Sequence, residues 1–169
     1  MFSNFNELKK KKLYTIVAVI LLTAMYVIIF LFSAKSGEES SGLSGRIADF
    51  IYGIYYRLIG LQGTGEIVLV QQVSPLEAII RKMAHFIEYF VIGFLSYGIV
   101  IMWCQHRWRG RGLVLLQVFI SGVLDEFHQY FVPGRAAMFR DVLIDTAGGA
   151  AGILLLVIWP DGKKKIRDN

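Results

Sequence analysis

The sequence predicts an all-α membrane protein, with four transmembrane helices and an amphipathic helix lying in the outer interface. Three observations lead there. Of 169 residues, 55% are hydrophobic and only 18% are charged, more apolar sequence than a soluble domain of this length needs. The apolar residues gather in runs of about twenty, the length that crosses a hydrocarbon core roughly 30 Å thick. The net charge of +5 sits in short clusters beside those runs, as in a membrane protein and unlike a nucleic-acid binder. A single cysteine, Cys104, excludes an intramolecular disulfide or a cysteine metal cluster and reads as a bystander.

The elements follow in order. Residues 1–12 form a basic cytoplasmic N-terminus ending in KKKK, and 13–33 form the first span, LYTIVAVILLTAMYVIIFLF with Ser33. That run is too long for a signal-peptide core, and SAKSGEES after it offers no small-x-small cleavage site, so the span is retained. Residues 34–75 are expected outside. SAKSGEESSGLSGR is polar and Ser/Gly-rich, whereas 43–61, LSGRIADFIYGIYYRLIGL, carries only Arg46, Asp49 and Arg57 as charges and suits an interfacial helix. The glycines of GLQGTGEIVLV match neither a dinucleotide fold nor a phosphate loop.

A three-helix core occupies 76–159. Its first helix opens at Ser74-Pro75-Leu76-Glu77, with a capping serine, proline at the first helical position and glutamate three residues after the cap, and runs to about 104. The next, roughly 112–131, is stopped by Val132-Pro133-Gly134. The last, about 139–159, ends at Trp159-Pro160 before the basic cytoplasmic tail 160–169. Segments 1–12, 103–112 and 160–169 hold 11 of the 18 Lys and Arg, which places both termini in the cytoplasm.

The polar residues then align. Lys82, His85, Glu88 and Tyr89 share one face of the second span, and Ser96 continues it. Asp125 and Gln129 lie one turn apart on the third, with Ser121 a turn earlier and Glu126 and His128 flanking. Asp141, Asp145, Gly148 and Gly152 line up on the fourth, where the glycines admit a close helix neighbour, expected within the bundle. Glu88, Asp125 and Asp145 each fall roughly 10 Å from the outer end of their spans. Charges near the bilayer centre cost about 2.5–3.5 kcal/mol each, so these acids are expected to face inward, paired or hydrated. The expectation is a polar pocket open to the outside, built from Lys82, His85, Glu88, Tyr89, Asp125, Glu126, Gln129, Arg135, Asp141 and Asp145. Arg81 and Arg140 count as further cations of this pocket or, alternatively, snorkel to the interface.

RKMAHFIEYFVIGFL (81–95) followed by DEFHQYFVPGRAAMFRDVLIDTAGGAAG (125–152) resembles the VanZ-like family of bacterial membrane proteins. FSAKSGEESSGLS resembles that family's serine-rich segment after the first span, so the likeness covers about residues 30–155. It rests on the joint pattern K-x-x-H-x-x-E-Y, D-E-x-x-Q, P-G-R and R-D-x-x-x-D-x-x-G. The resemblance implies a protein of the Gram-positive cell envelope tied to low-level resistance to teicoplanin, a lipid-tailed glycopeptide, rather than to vancomycin. It carries over Lys82, His85, Glu88, Asp125, Glu126, Gln129, Arg135, Asp141, Gly148 and Gly149. Asp145 stands where asparagine is more usual, and Lys35 where glutamine is.

Three functions stay open on these residues. A binding module would hold a lipid-linked envelope molecule or a lipoglycopeptide, with Arg135, Lys82 and Arg140 on a phosphate or carboxylate and 43–61 along a tail. A membrane enzyme acting on a lipid headgroup would draw its acid and base from His85, Glu88, Asp125 and Glu126. Alternatively, the charges are a salt-bridge network that sets helix registry. No H-E-x-x-H occurs, and neither a cofactor nor a metal is expected. The expected partner is membrane lipid, not nucleic acid.

Overall fold

The computed structural model describes residues 2–58, 75–104 and 106–158. The tail, the GLQGTGEIVLV fragment and the expected cap Ser74 lie outside them. Five helices follow one another: α1 (Phe2–Ser33), α2 (Gly37–Leu58), α3 (Pro75–Trp103), α4 (Arg107–Tyr130) and α5 (Phe139–Ile158). The described residues contain no strand, and the all-α membrane class holds. Three helices are long and apolar enough to cross a bilayer, namely Asn6–Ser33, Pro75–Trp103 and Phe139–Ile158. The helix α4 was expected to be the fourth, but Arg107, Arg109, Arg111, Gln117 and its cluster of acids make it too polar by composition alone.

Alternating direction puts like ends together. Trp103 at the end of α3 donates from Nε1 to Thr15 Oγ1 in the first half of α1, at 2.7 Å. Ser33 at the end of α1 reaches Asp125 near the end of α4. Thus α1 and α4 run one way, α3 and α5 the other. α1 packs on the core along one seam, Leu22, Met25, Tyr26, Ile29 and Ser33, whose 3–4 spacing is one helix face. That seam joins Tyr89, Ile92 and Tyr97 of α3, Val114 and Val118 of α4 and Ile153 of α5 in the apolar core. Most of the remaining α1 surface is exposed and apolar, as are Leu113, Leu124 and Phe127 on α4. So much exposed apolar surface, most of it on a helix long and apolar enough to span, fits a bilayer.

Glycine sets the closest contact. A Cβ on Gly93 would strike the Gly149 backbone, one on Gly148 the carbonyl of Phe86, and one on Gly152 the backbone of Phe90 and Phe94. The small-residue stripe of α5 therefore packs inside the chain against α3, which makes this the largest helix pair of the fold.

The helix α2 starts six residues earlier than expected, at Gly37 rather than 43, because Ser36-Gly37-Glu38-Glu39 is a capping box. Ser36 Oγ accepts from Glu39 N and Glu39 Oε2 accepts from Ser36 N, both at 3.2 Å. Polar, Ser/Gly-rich composition hides a four-residue signature that specifies a helix start. α2 turns small residues inward (Ser44 and Ala48 are buried) and large ones outward, with Phe50 69% and Leu58 81% exposed. That inversion of a soluble amphipathic helix suits apolar surroundings. Ser36→Ala is expected to cost about 1 kcal/mol and to deprotect the amides of Glu38–Ser40 in hydrogen exchange, leaving α3–α5 protection unchanged. The turn between α4 and α5 docks on this same junction. Gly134 has φ +73°, the left-handed region that glycine enters freely, and Pro133 O accepts from Gly37 N at 3.0 Å.

Candidate functional site

Three helices each send one ionisable side chain to a common point. His85 of α3 places Nδ1 3.6 Å from Asp145 Oδ1 of α5 and 3.9 Å from Asp125 Oδ2 of α4. Asp145 is 0% exposed and Asp125 8%. Gly122 of α4 makes the room: a Cβ there would come within 3.3 Å of Asp145 Oδ2. Among the described residues, neither Asp145 oxygen nor His85 Nδ1 has a hydrogen-bond partner. Separations of 3.6 and 3.9 Å are too long for such bonds. Glu88, one turn along α3, lies within Coulombic reach of all three groups.

Asp125 is held from the other side. Ser33 Oγ donates to its Oδ1 at 2.5 Å and Gln129 Nε2 to its Oδ2 at 2.8 Å. Gln129 Oε1 in turn accepts from Arg135 Nη1 at 3.3 Å. Arg135 also donates from Nε to Lys35 O at 3.2 Å and from Nη2 to Phe32 O at 3.0 Å. One guanidinium thus ties the α4–α5 turn to the Phe32 carbonyl in the last turn of α1 and to the Lys35 carbonyl just beyond it. Burial first, and the neighbouring Arg81 second, press Arg135 below its usual range.

Above this centre lies a cavity of about 160 Å³ between the end of α1, α2 and α3, far more than the roughly 10–15 Å³ one water needs. Lys35, Arg81 and Arg135 line it against a single acid, Glu88. Ser33, Ser40 and Ser44 add hydroxyls, Phe32, Leu43, Ile47 and Ile80 form the apolar wall, and His85 joins it to the centre. Arg81 reaches Ser41 Oγ from Nη2 at 3.1 Å. Its buried Nε has no partner among the described residues. The chamber thus sets three cations and one acid beside an apolar wall.

The structure divides the expected site residues. His85, Glu88, Asp125, Gln129, Arg135 and Asp145 come together at the centre and cavity. Lys82 and Asp141 pair with each other across α3 and α5. Glu126, 5% exposed, accepts from Met138 N at 2.8 Å, a negative charge at the start of α5 where the helix dipole favours one. Tyr89 is a core residue, and His128 stacks on Phe30 with ring centroids 4.7 Å apart. Ser33 escaped the sequence reading as a site residue, whereas Arg81, read there as a pocket cation or a snorkelling one, lines the cavity. The signal for Ser33 was available, since it continues the Tyr26–Ile29 face by one turn. A deeper relay was missed as well: Gln117 Nε2 donates to Tyr26 Oη at 2.9 Å and to Ser96 Oγ at 3.2 Å, and Tyr26 Oη and Ser121 Oγ lie 3.1 Å apart.

The family model described as VanZ/LLP1 matches residues 18–160, most of the chain. Neither a curated protein nor a solved structure matches it.

Proposed function

Because the chain belongs to the VanZ/LLP1 family, we propose that it is a four-span cell-envelope protein that binds an anionic, lipid-attached group in an outward-facing cavity. The group is the headgroup of a lipid-linked envelope molecule or a lipid-tailed glycopeptide, and binding contributes to low-level teicoplanin resistance. The observation that carries this reading is the convergence of Lys35, Arg81 and Arg135 beside an apolar wall. Arg81 and Arg135, both half-buried, repel each other across this cavity, and an anion between them relieves that repulsion.

Charge placement supports the orientation. Lys9–Lys12 on α1 and Arg107, Arg109 and Arg111 on α4 occupy the end of the bundle opposite the cavity, and a cationic end belongs in the cytoplasm. The cavity then faces outside, where glycopeptides act. α4 crosses with the others because it packs against both α3 and α5, which are themselves apolar enough to span. Its polar groups are turned into the bundle, with Asp125, Glu126 and Gln129 buried.

The test is drug susceptibility of a sensitive Gram-positive host expressing wild type, Lys35→Ala or Arg81→Gln at membrane levels matched by blot. Wild type is expected to raise the inhibitory concentration of teicoplanin severalfold and leave that of vancomycin unchanged. Both substitutions are expected to abolish the protection. Full protection by both variants overturns the cavity's role, and no protection by wild type overturns the link to the drug.

A further inference from the structure

We infer that His85, Asp125 and Asp145 form a binding site for a divalent cation of the zinc class, with one ligand from each of α3, α4 and α5. One donor atom of each residue lies within 4.8 Å of the others. Two ligands each ~2.1 Å from a tetrahedral ion stand roughly 3.4 Å apart. The 3.6 Å from His85 to Asp145 and the 3.9 Å from His85 to Asp125 are close to that spacing and beyond hydrogen-bond length.

The second observation is Asp145 itself. Its carboxylate is wholly buried, aimed at the other two groups, and neither oxygen has a partner among the described residues. An acid in that setting is held by a cation or carries a proton. A proton shared between Asp145 and His85 would draw the two groups to hydrogen-bond length, and they stand 3.6 Å apart. A divalent ion instead satisfies both Asp145 and His85 Nδ1 and cancels the charge of two carboxylates, whereas a monovalent ion leaves net charge in the bundle. One imidazole and two carboxylates suit zinc, manganese or ferrous iron better than calcium or magnesium, which prefer all-oxygen sets. Ser33 and Gln129, which fix the Asp125 carboxylate, provide the outer support that metal ligands require.

Three protein ligands leave a coordination position open. The cavity lined by His85 and Glu88 is the side from which a further ligand can approach, and a phosphate oxygen there would meet a Lewis acid. This last step rests on the cavity reading above, but the ion site itself does not.

The experiment uses the full chain, purified in detergent with an affinity tag free of histidine, equilibrated with zinc and freed of excess. Metal content is read by mass spectrometry and cobalt substitution by its visible bands. Wild type and Asp141→Asn are expected to retain about one equivalent; Asp125→Asn and Asp145→Asn are expected to retain at least tenfold less while eluting as monodisperse protein. If those variants do not fold, chelated wild type takes their place, with a lowered melting temperature that zinc restores and sodium does not. Wild type that binds no divalent ion and melts identically with and without chelator overturns the proposal, as does undiminished metal in Asp145→Asn. Full drug protection by Lys35→Ala and Arg81→Gln, with metal content intact, would strike the cavity reading alone.

Discussion

Leucine at Gly148 is expected to abolish the folded bundle, and alanine there to weaken it. Between lipid-facing helices no hydrophobic force drives association, so close packing and interhelical hydrogen bonds must hold α3 to α5. Gly93, Gly148 and Gly152 allow backbone to lie on backbone along that pair. A Cβ at Gly148 meets the Phe86 carbonyl, which cannot rotate away as a side chain would. One methyl is expected to cost about 1–3 kcal/mol, and a leucine more than ~3. The damage reaches the site because α3 carries His85 and α5 carries Asp145. Pushing the helices apart wets a buried carboxylate and separates it from its neighbour. Gly112→Ala is the control: a Cβ there meets nothing within 4 Å, and helix propensity favours alanine by up to about 1 kcal/mol. Denaturant titration in micelles checks the pair. Wild-type stability in Gly148→Leu would show that α3 and α5 do not pack this way.

Local signatures were legible in the sequence, and relative rotation of the helices was not. Pro75 with Glu77 marked the start of α3, and Val132-Pro133-Gly134 the end of α4, because caps and turns depend on a few neighbouring residues. The capping box at Ser36 and Glu39 is equally local, but serine-rich composition outweighed it and the start of α2 was placed too late. The shared depth of Asp125 and Asp145 follows from helical rise alone, and the structure brings them together. Which member of Asp125-Glu126 enters the centre is another matter. Adjacent residues differ by about 100° around a helix, and the packing of Val118 and Gly122 against α5 decides which points at His85. Glu126 therefore went to the start of α5. The same applies to Lys82, whose membership of the polar stripe was visible while its partner Asp141 was not. Arg81 stayed open between pocket cation and snorkelling cation, because snorkelling needs no partner. Its place in the cavity depends on α2 folding over it.

Arg135→Ala is expected to loosen the outer end of α1 and lower stability by about 2–3 kcal/mol, and Arg135→Lys to recover little of it. Three bonds in different directions, to Phe32 O, Lys35 O and Gln129 Oε1, need the planar fork of a guanidinium. An ammonium reaches one or two of them. The figure is held well below three full charge-assisted bonds because the side chain is only half-buried and water screens part of it. Loss propagates along a defined line. Gln129 loses its support, Asp125 then keeps only Ser33, and the Ser33 end of α1 is no longer pinned to the turn. A cysteine introduced at Ser36 should consequently label with a water-soluble maleimide several times faster in either variant. Cys104, exposed near the opposite end of the bundle, should label at an unchanged rate and serve as the internal reference. If both cysteines accelerate together, the substitution has unfolded the bundle generally and the clamp is not local. If neither does, Arg135 does not hold α1, and its place is solely in the cavity, as a charge available to a ligand.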